Sequence, residues 1–396
     1  MKSEVKIRQE MSEKKLKTNN SKLETAPVPG LYVHVPFCRS KCLYCDFYSV
    51  ASSAAIPAWL NAVQREMLLY REKFHEFDSL YIGGGTPTLL DERQLATMME
   101  QLFRNFTFCP ESEMTMEANP DGLSRQKFKT ARELGVNRIS LGVQSLDDGE
   151  LKYLGRSHSS EQALKALEML RSLGFANISV DLMYGFERQS LQGWKKTIDR
   201  VLEFRPEHLS CYQMTFEPDT PLGKMKAAGK VRPIGEKLET AFFIWTSRCL
   251  EKQGYHQYEI SNFARGREFM CRHNRKYWGH IPYLGLGPSA HSFQAGSRWW
   301  NVKSVKRYCQ LLEEGKAPVE ASEVLSEEQL DLESLGLGLR TSDGVSLYAS
   351  GGRLGSGHSL DEARKSGLVK VIDGRILPTR KGFLVADSLP VMLSEQ

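Results

Sequence analysis

The chain has 396 residues and 41% hydrophobic content, enough to bury the core of one large domain and a smaller one. Its net charge of +5 is small, and residues 1–26 supply +3 of it, with seven Lys or Arg against four Asp or Glu, which argues against nucleic acid as a partner. No apolar run is long enough to span a membrane, and no signal-peptide core is visible at the start, so we expect a cytoplasmic protein.

The chain opens on a polar segment that predicts no structure. Residues 1–26 mix both charges and lack aromatic side chains, which is typical of a disordered tail. Beyond it, short apolar runs predict six strands, at 31–35, 78–82, 113–117, 137–143, 177–183 and 208–214.

Helical segments lie between these strands. Pro57 suits the first turn of one helix, and Ser124, Ser159 or Ser160, and Ser190 are suitable caps for later ones. Strict alternation of strand and helix implies parallel strands with right-handed crossovers. Two architectures fit this order, a doubly wound sheet and a complete or partial (β/α) barrel. In both, ligands bind at the carboxyl ends of the strands.

Three of the eight cysteines follow the first strand, in the spacing C-x3-C-x2-C. Three thiolates, those of Cys38, Cys42 and Cys45, can hold three corners of a four-iron cluster and leave the fourth iron open to a small molecule. The alternative is a structural zinc site with His34 as fourth ligand. Zinc sites usually combine two separated ligand pairs, and no second pair is visible, so the spacing favours the cluster.

Unusual residues also follow the other strands. The second strand ends in Gly83-Gly84-Gly85-Thr86-Pro87, and Glu117, Gln144 and Asp181 lie at or near the ends of the next three. Glycines let a backbone approach a ligand closely, and polar groups at the end of a barrel strand are site candidates. The positions therefore predict one pocket facing the cysteine loop.

The alternation stops after residue 216. A helix is predicted over 235–253, followed by an aromatic-rich segment that contains His273-Asn274-x-x-Tyr277-Trp278. From about residue 320, a helix, a second helix, a hairpin turning at Asp373-Gly374 and a last helix resemble a winged-helix-like module. We therefore expect a core at 27–220, a linking region at 221–318 and a C-terminal domain at 319–396.

The motifs YVHVPFC…CLYCDF, GGGTPT, GVQS and DLMYG, in this order and spacing, resemble those of radical S-adenosylmethionine (SAM) proteins. More narrowly, they are similar to the oxygen-independent coproporphyrinogen III oxidase family, from about residue 30 to 390. The resemblance implies an α/β fold, a partial (β/α)6 TIM-type barrel with a small, mostly helical winged-helix-like C-terminal domain. It also implies a 4Fe-4S cluster on Cys38, Cys42 and Cys45.

In that family, the amino and carboxylate groups of SAM chelate the open iron, and an electron from the cluster cleaves the sulfonium to a 5′-deoxyadenosyl radical. A low-potential cluster needs an outside electron donor of the flavodoxin or ferredoxin type. The resemblance leaves open whether SAM is cleaved here or only bound. Matching positions imply that SAM is contacted by Tyr32, Tyr44, Gly84, Gly85, Thr86, Glu117, Gln144, Arg156 and Asp181.

The aromatic segment resembles the haem-chaperone branch of the family, known as HemW. His273 begins its HNxxYW motif, and the following GxGxxAHS pattern includes His291. Histidine is a natural axial ligand for haem iron, which makes His273 the candidate haem contact. From the chemistry of this residue alone, a packed, hydrogen-bonded histidine is the alternative.

Two departures bear on the branch. The oxidases carry a further cysteine where this chain has Phe47, and they have a longer N-terminal extension. Both differences favour haem binding and transfer to an acceptor protein. The alternatives are anaerobic oxidation of coproporphyrinogen III and a binding module with a merely structural cluster. The strand-five motif also departs, because Phe186-Glu187-Arg188 replaces the usual Pro-Gly turn.

Overall fold

The computed structural model describes residues 27–347 and 357–394. The predicted polar tail at 1–26 lies outside them. Fifteen strands are present in the described part: β1 Gly30–Val35, β2 Glu76–Gly84, β3 Thr107–Ala118, β4 Arg138–Gln144, β5 Ile178–Tyr184, β6 His208–Gln213, β7 His256–Gln257, β8 Asn262–Ala264, β9 Tyr283–Leu286, β10 His291–Gln294, β11 Ser297–Asn301, β12 Val319–Val324, β13 Val345–Ser346, β14 Val369–Ile372 and β15 Arg375–Pro378.

The α-helices of the described part, in chain order, are α1 Ile56–Tyr70, α2 Glu92–Asn105, α3 Arg125–Glu133, α4 Asp148–Leu154, α5 Ser160–Ser172, α6 Leu191–Leu202, α7 Pro221–Ala227, α8 Glu236–Lys252, α9 Arg272–Trp278, α10 Val305–Glu313, α11 Glu327–Leu339, α12 Gly357–Lys365, α13 Arg380–Phe383 and α14 Leu389–Ser394. Within these residues, no helix is both long and apolar enough to cross a bilayer.

Strands β1 to β6 pair in sequence order, and each pair is parallel. Successive side chains of a strand point to opposite faces, and the two faces here differ in character. One face is apolar and lies under the helices, with buried Leu31, Val33, Ile82, Leu141 and Val180 among its residues. The other face is polar and lines the concave interior. This division places the chemistry on the inside of a curved sheet.

The helices between the strands begin where the sequence predicts. The side chains of Asp91, Ser124, Ser159 and Ser190 each accept a backbone N–H from the first turn of α2, α3, α5 and α6, respectively. A capping side chain of this kind satisfies a donor that the helix itself leaves unpaired. Pro57 lies in the first turn of α1.

The sheet extends beyond the six predicted strands. Its order is β12-β11-β10-β9-β1-β2-β3-β4-β5-β6-β8-β7, in which β9 runs parallel to β1 and β10 to β12 follow antiparallel. The sequence pattern does not predict these strands, because they are short, between two and six residues, and most lie in an aromatic-rich segment without regular alternation. Strand β9 joins the aromatic segment directly to the strand that carries the cysteine loop.

The C-terminal segment has a small core of its own, formed by residues of α11, α12, β14, β15 and α14 such as Leu339, Ala363, Ile376 and Leu389. Strands β13, β15 and β14 form a separate antiparallel sheet. The predicted turn between β14 and β15 has positive φ at both Asp373 and Gly374, which a type I′ turn requires. The division into domains at residues 220 and 318 stays a prediction.

Candidate functional site

The cysteine loop leaves β1 and is tied to the core at two places. The N–H of Cys38 donates to the Val50 carbonyl at 3.0 Å, which closes the base of the loop. At its tip, the N–H of Leu43 donates to the Leu154 carbonyl at 3.3 Å, and the Leu43 carbonyl accepts from Leu222 at 2.9 Å. These bonds hold the loop across the carboxyl edge of the sheet.

An apolar cluster supports the same loop from below. Leu43 and Tyr44 pack against it, and Phe186 is one of its buried members, stacked on Tyr153 with ring centroids 5.5 Å apart. Phe186 stands where the family resemblance predicts a Pro-Gly turn. Its aromatic ring therefore has a structural role, because it fills the small core on which the cysteine loop rests.

The three cysteines of the loop are free, partly exposed thiols. Thr86 Oγ1 donates to Cys38 Sγ at 3.6 Å, and Arg156 Nη1 donates to Cys42 Sγ at 3.5 Å. Burial raises the pKa of Cys45 to about 11, and the neighbouring thiols add to the shift. Thiolates this close repel one another, so the loop suits a cationic iron–sulfur cluster that compensates their charge.

The zinc alternative lacks its fourth ligand. His34 Nδ1 lies 3.0 Å from the Tyr32 hydroxyl and Nε2 lies 2.8 Å from the Tyr48 carbonyl, so neither nitrogen is free. In the described residues, no three His, Cys, Asp or Glu side chains converge on one ion-sized point. A four-iron cluster spreads its thiolates around a cube, so the donor set of this loop fits a cluster better than a single ion.

The GGGTP turn after β2 packs directly against the cysteine loop. Gly84 has φ +103°, and a Cβ there would meet the His34 ring at 2.5 Å. A Cβ at Gly85 would lie 2.5 Å from the Phe37 carbonyl oxygen, and the N–H of Thr86 donates to that oxygen at 2.7 Å. Only glycine allows this approach, which holds the turn beside the thiols.

Glu117 lies at the end of β3 and faces the interior, where its side chain keeps contact with solvent. It accepts from the Tyr81 hydroxyl at 2.9 Å and from the N–H of Gly84 at 3.1 Å. Burial raises its pKa to about 7, with a contribution from Asp181, and the two hydrogen bonds oppose the shift. The carboxyl group of Glu117 therefore changes between its neutral and anionic forms near neutral pH, and either form can accept a hydrogen bond.

Gln144 ends the next strand, β4, whereas Asp181 lies in the middle of β5 rather than near its predicted end. Burial raises the pKa of Asp181, although the hydroxyls of Ser140 and Ser179 donate to it at 2.9 and 3.3 Å. Gln144 has φ +64° at an irregular point of β4, and its buried Oε1 has no hydrogen-bond partner among the described residues. Strain and an unpaired oxygen at one residue are features of ligand sites.

Arg156 connects the strand ends to the cysteine loop. Its Nη2 donates to Asn119 Oδ1 at 2.6 Å and to the Gly142 carbonyl at 2.8 Å, while Nη1 reaches Cys42. Burial alone would lower its pKa, but the charges of Tyr44 and Cys42 outweigh burial and raise it. Its Nε is buried without a partner in the described chain, which leaves a donor for an anionic ligand group.

A solvent-open cleft lies between these parts. Its lining joins the cysteine loop, the GGGTP turn and the residues after β3 and α4: Arg39, Ser40, Cys42, Thr86, Thr88, Leu89, Asn119, Asp121, Gly122, Arg156 and Ser157. The structure therefore brings three of the predicted site residues, Cys42, Thr86 and Arg156, to one cleft.

His273 lies on the inner floor of the site, away from this cleft. Its ring nitrogens lie 3.2 Å from Ser79 Oγ and 2.9 Å from the Tyr277 hydroxyl, and the side chain is 1% exposed. Burial lowers its pKa to about 3. Tyr32, the predicted contact on β1, stacks on the His273 ring at 6.1 Å. In this conformation neither nitrogen of His273 is open to a ligand.

Two residues of the site, Asn119 and Tyr81, are not predicted from the sequence. Asn119 bridges the Thr86 hydroxyl, at 3.1 Å, and Arg156. Tyr81 holds Glu117. Asn119 lies in an Asn-Pro-Asp-Gly stretch that reads as a turn, and Tyr81 is one of several aromatic residues in strands, so neither carried a signal of its own.

Comparisons with known proteins identify the family of the chain. Residues 32–201 match the radical SAM superfamily. The chain is 36% identical to the heme chaperone HemW of Bacillus subtilis, over 90% of this chain and 97% of that protein. It is 33% identical to the HemW of Mycobacterium tuberculosis H37Rv, over 92% and 95% of the two chains.

A solved structure shows the fold. Coproporphyrinogen III oxidase (HemN) from Escherichia coli, a radical SAM enzyme, superposes with a TM-score of 0.80 over 93% of this chain and 90% of that chain, at 24% identity. The predicted partial TIM-type barrel is thereby confirmed. The chain belongs to the radical SAM superfamily and, within it, to the HemW family.

Proposed function

We propose that this protein binds haem and transfers it to an acceptor protein, with a 4Fe-4S cluster and SAM bound at the carboxyl edge of its barrel. The observation that carries the proposal is its likeness to the B. subtilis heme chaperone HemW, 36% identical over 97% of that protein. Because the similarity extends over nearly the whole length and is not restricted to the barrel, it favours a shared function.

The residues around the cleft suit these cofactors. As a radical SAM protein, the chain takes a 4Fe-4S cluster and SAM, and the bound pair supplies one-electron chemistry at the open iron. Cys38, Cys42 and Cys45 hold the cluster in this proposal. Arg156 offsets thiolate charge at Cys42, and Thr86 donates to Cys38.

The remaining predicted contacts are assigned by the polar groups they present. Backbone groups of Gly84 and Gly85 face the amino and carboxylate groups of SAM, because their turn lies against the cysteine loop. The carboxyl groups of Glu117 and Asp181 accept hydrogen bonds from SAM. The unpaired oxygen of Gln144 takes a further donor. The side chains of Tyr32 and Tyr44 complete the proposed set.

Phe47 supports haem handling over porphyrinogen oxidation. In the oxidases a further thiol stands at this position, whereas here the side chain is aromatic and 67% exposed. The electron donor, of flavodoxin or ferredoxin type, and the haem acceptor are further partners in the proposal. All eight cysteines are unpaired, which suits the reducing cytoplasm that we propose as its location.

The test is anaerobic reconstitution of the full chain, followed by two assays on the same sample. Titration with haem is expected to produce a Soret band that saturates at one haem per chain. Incubation with coproporphyrinogen III, SAM and a reductant is expected to leave the substrate unchanged. Absence of haem binding, or conversion of coproporphyrinogen, contradicts the proposal.

A further inference from the structure

One histidine stands free on the inner side of the sheet, close to the cysteine loop. His291 opens β10 with an exposed side chain, and no hydrogen bond or ion pair holds its imidazole within the described chain. The turn that precedes it packs against His34, which leads into the cysteine loop. Its position differs from that of His273, whose two ring nitrogens are both within hydrogen-bonding distance of partners.

An aromatic partner fixes the plane of the free imidazole. Trp300 on β11 is paired with His291 across the antiparallel hairpin, and the two rings stack at 5.7 Å between centroids with 24° between planes. Aromatic pairs across a hairpin stabilise one side-chain arrangement. The indole also adds apolar surface next to the histidine, as a flat hydrophobic ligand requires.

The turn that carries His291 is held rigidly from beneath. A Cβ at Gly287 would lie 2.5 Å from the His34 carbonyl oxygen, so the turn packs tightly against the end of β1. The buried carboxylate of Glu66 accepts from the N–H of Gly287 at 2.8 Å and from Asn301 Nδ2 at 2.6 Å. These contacts anchor the Gly287 end of the turn, and the N–H of Asn301 donates to the Ala290 carbonyl at the other end at 2.9 Å, which preorganises the exposed ring.

Two cationic side chains lie on or just after β11, the strand paired with β10. Lys303 is exposed, and no ion pair engages it in the described part of the chain, whereas Arg298 is paired with both Glu323 and Glu333. The N–H of Ser289, two residues before His291, donates to the Val302 carbonyl at 3.1 Å, which holds the neighbouring Lys303 beside the turn. The neutral form of an imidazole is the form that ligates a metal.

We propose that His291 is the axial ligand of the haem iron and that Lys303 pairs with a haem propionate. The inference rests on the proposed function, since it names the residues of the haem site. An exposed imidazole without a hydrogen-bond partner in the described chain, an adjacent indole and a nearby cation match an iron macrocycle with anionic side chains. A single exposed ligand also suits cargo that an acceptor must take over.

The test titrates the anaerobically reconstituted full chain with haem, following the Soret band and the low-spin EPR signal. His291→Ala is expected to weaken binding by about tenfold or more and to remove the imidazole-ligated spectrum. Added imidazole is expected to restore that spectrum in His291→Gly. Lys303→Met removes the proposed ion pair between Lys303 and a haem propionate, and it is expected to weaken haem binding by about two- to fivefold.

His75→Ala is the matched control. His75 is also exposed, but it directly precedes β2 and so lies at the amino ends of the parallel strands, opposite the cysteine loop. It is expected to bind haem as the wild type does. A wild-type spectrum and affinity in His291→Ala, with loss of ligation in His273→Ala, overturn the inference and leave the proposed function intact. Failure of the wild-type chain to bind haem overturns both.

Discussion

Removal of the Glu66 carboxylate is expected to destabilise the protein strongly. Glu66 is fully buried on α1 and accepts from the N–H of Gly287, from Asn301 Nδ2 and from the Tyr308 hydroxyl. Asn301 keeps a second acceptor, the Gly287 carbonyl at 2.9 Å, so Glu66→Ala leaves two donors without partners. Each costs about 1–3 kcal/mol, and the cavity adds to this, so we expect a loss of about 3–5 kcal/mol.

The assay is equilibrium unfolding in urea near neutral pH with thiols kept reduced. The midpoint is expected to fall without a change in slope, since the same surface is exposed on unfolding. Glu72→Ala is the matched control, because Glu72 is exposed and only pairs with its neighbour Arg71. We expect it to stay within about 0.5 kcal/mol of the wild type. Equal midpoints for the two variants would refute the reasoning.

Glu66 also predicts a dependence of stability on pH. Burial raises its pKa from 4.5 to about 7, so the folded state binds the proton more tightly than the unfolded state. The contribution of Glu66 protonation to the free energy of unfolding is fully present below about pH 4.5 and is lost as the pH rises through about 7. The loss is about 3 kcal/mol. Glu66→Gln is expected to lack this slope; an unchanged slope argues against the assigned group.

Three further variants test the site. Cys42→Ser is expected to lose most of the iron taken up on anaerobic reconstitution, whereas Cys249→Ser, outside the loop, keeps it; equal iron in both contradicts the cluster assignment. With the pKa of Glu117 near 7, SAM binding measured by calorimetry is expected to strengthen as the pH rises through about 7, and Glu117→Gln to bind without that dependence. Gly84→Ala is expected to cost about 2–4 kcal/mol of unfolding free energy. Gly229→Ala, also at positive φ but with open space around it, is expected to cost about 1 kcal/mol. Similar losses in both variants would show that the His34 ring moves aside easily for a Cβ at Gly84.

The local structure of the core follows directly from the chain. Its strands are apolar runs, and its helices begin at side chains such as Asp91 and Ser159, whose oxygens can cap a first turn. Both signals act over a few residues and need no distant partner. The cysteine spacing is equally local, so it predicts a cluster on Cys38, Cys42 and Cys45 without any knowledge of the fold.

Contacts between distant segments were not predictable in this way. Strand β9 lies beside β1 although about 250 residues separate them, and its four residues carry no alternating pattern strong enough to mark a strand. Asn119 and Tyr81 join the site because the sheet brings neighbouring strand ends together. Their residue types are ordinary in turns and strands, so only their positions in space distinguish them.

The two histidines of the aromatic segment show the same difference between what the sequence predicts and what only the fold decides. The sequence by itself determined the family motifs, the open-cornered thiol set and the branch indicated by Phe47, because each is a matter of residue type and spacing. Only the tertiary structure decided that the ring of His273 is buried between Ser79 and Tyr277 while His291 is exposed beside Trp300. Exposure depends on what the rest of the chain packs over a side chain, and no spacing within a motif encodes that.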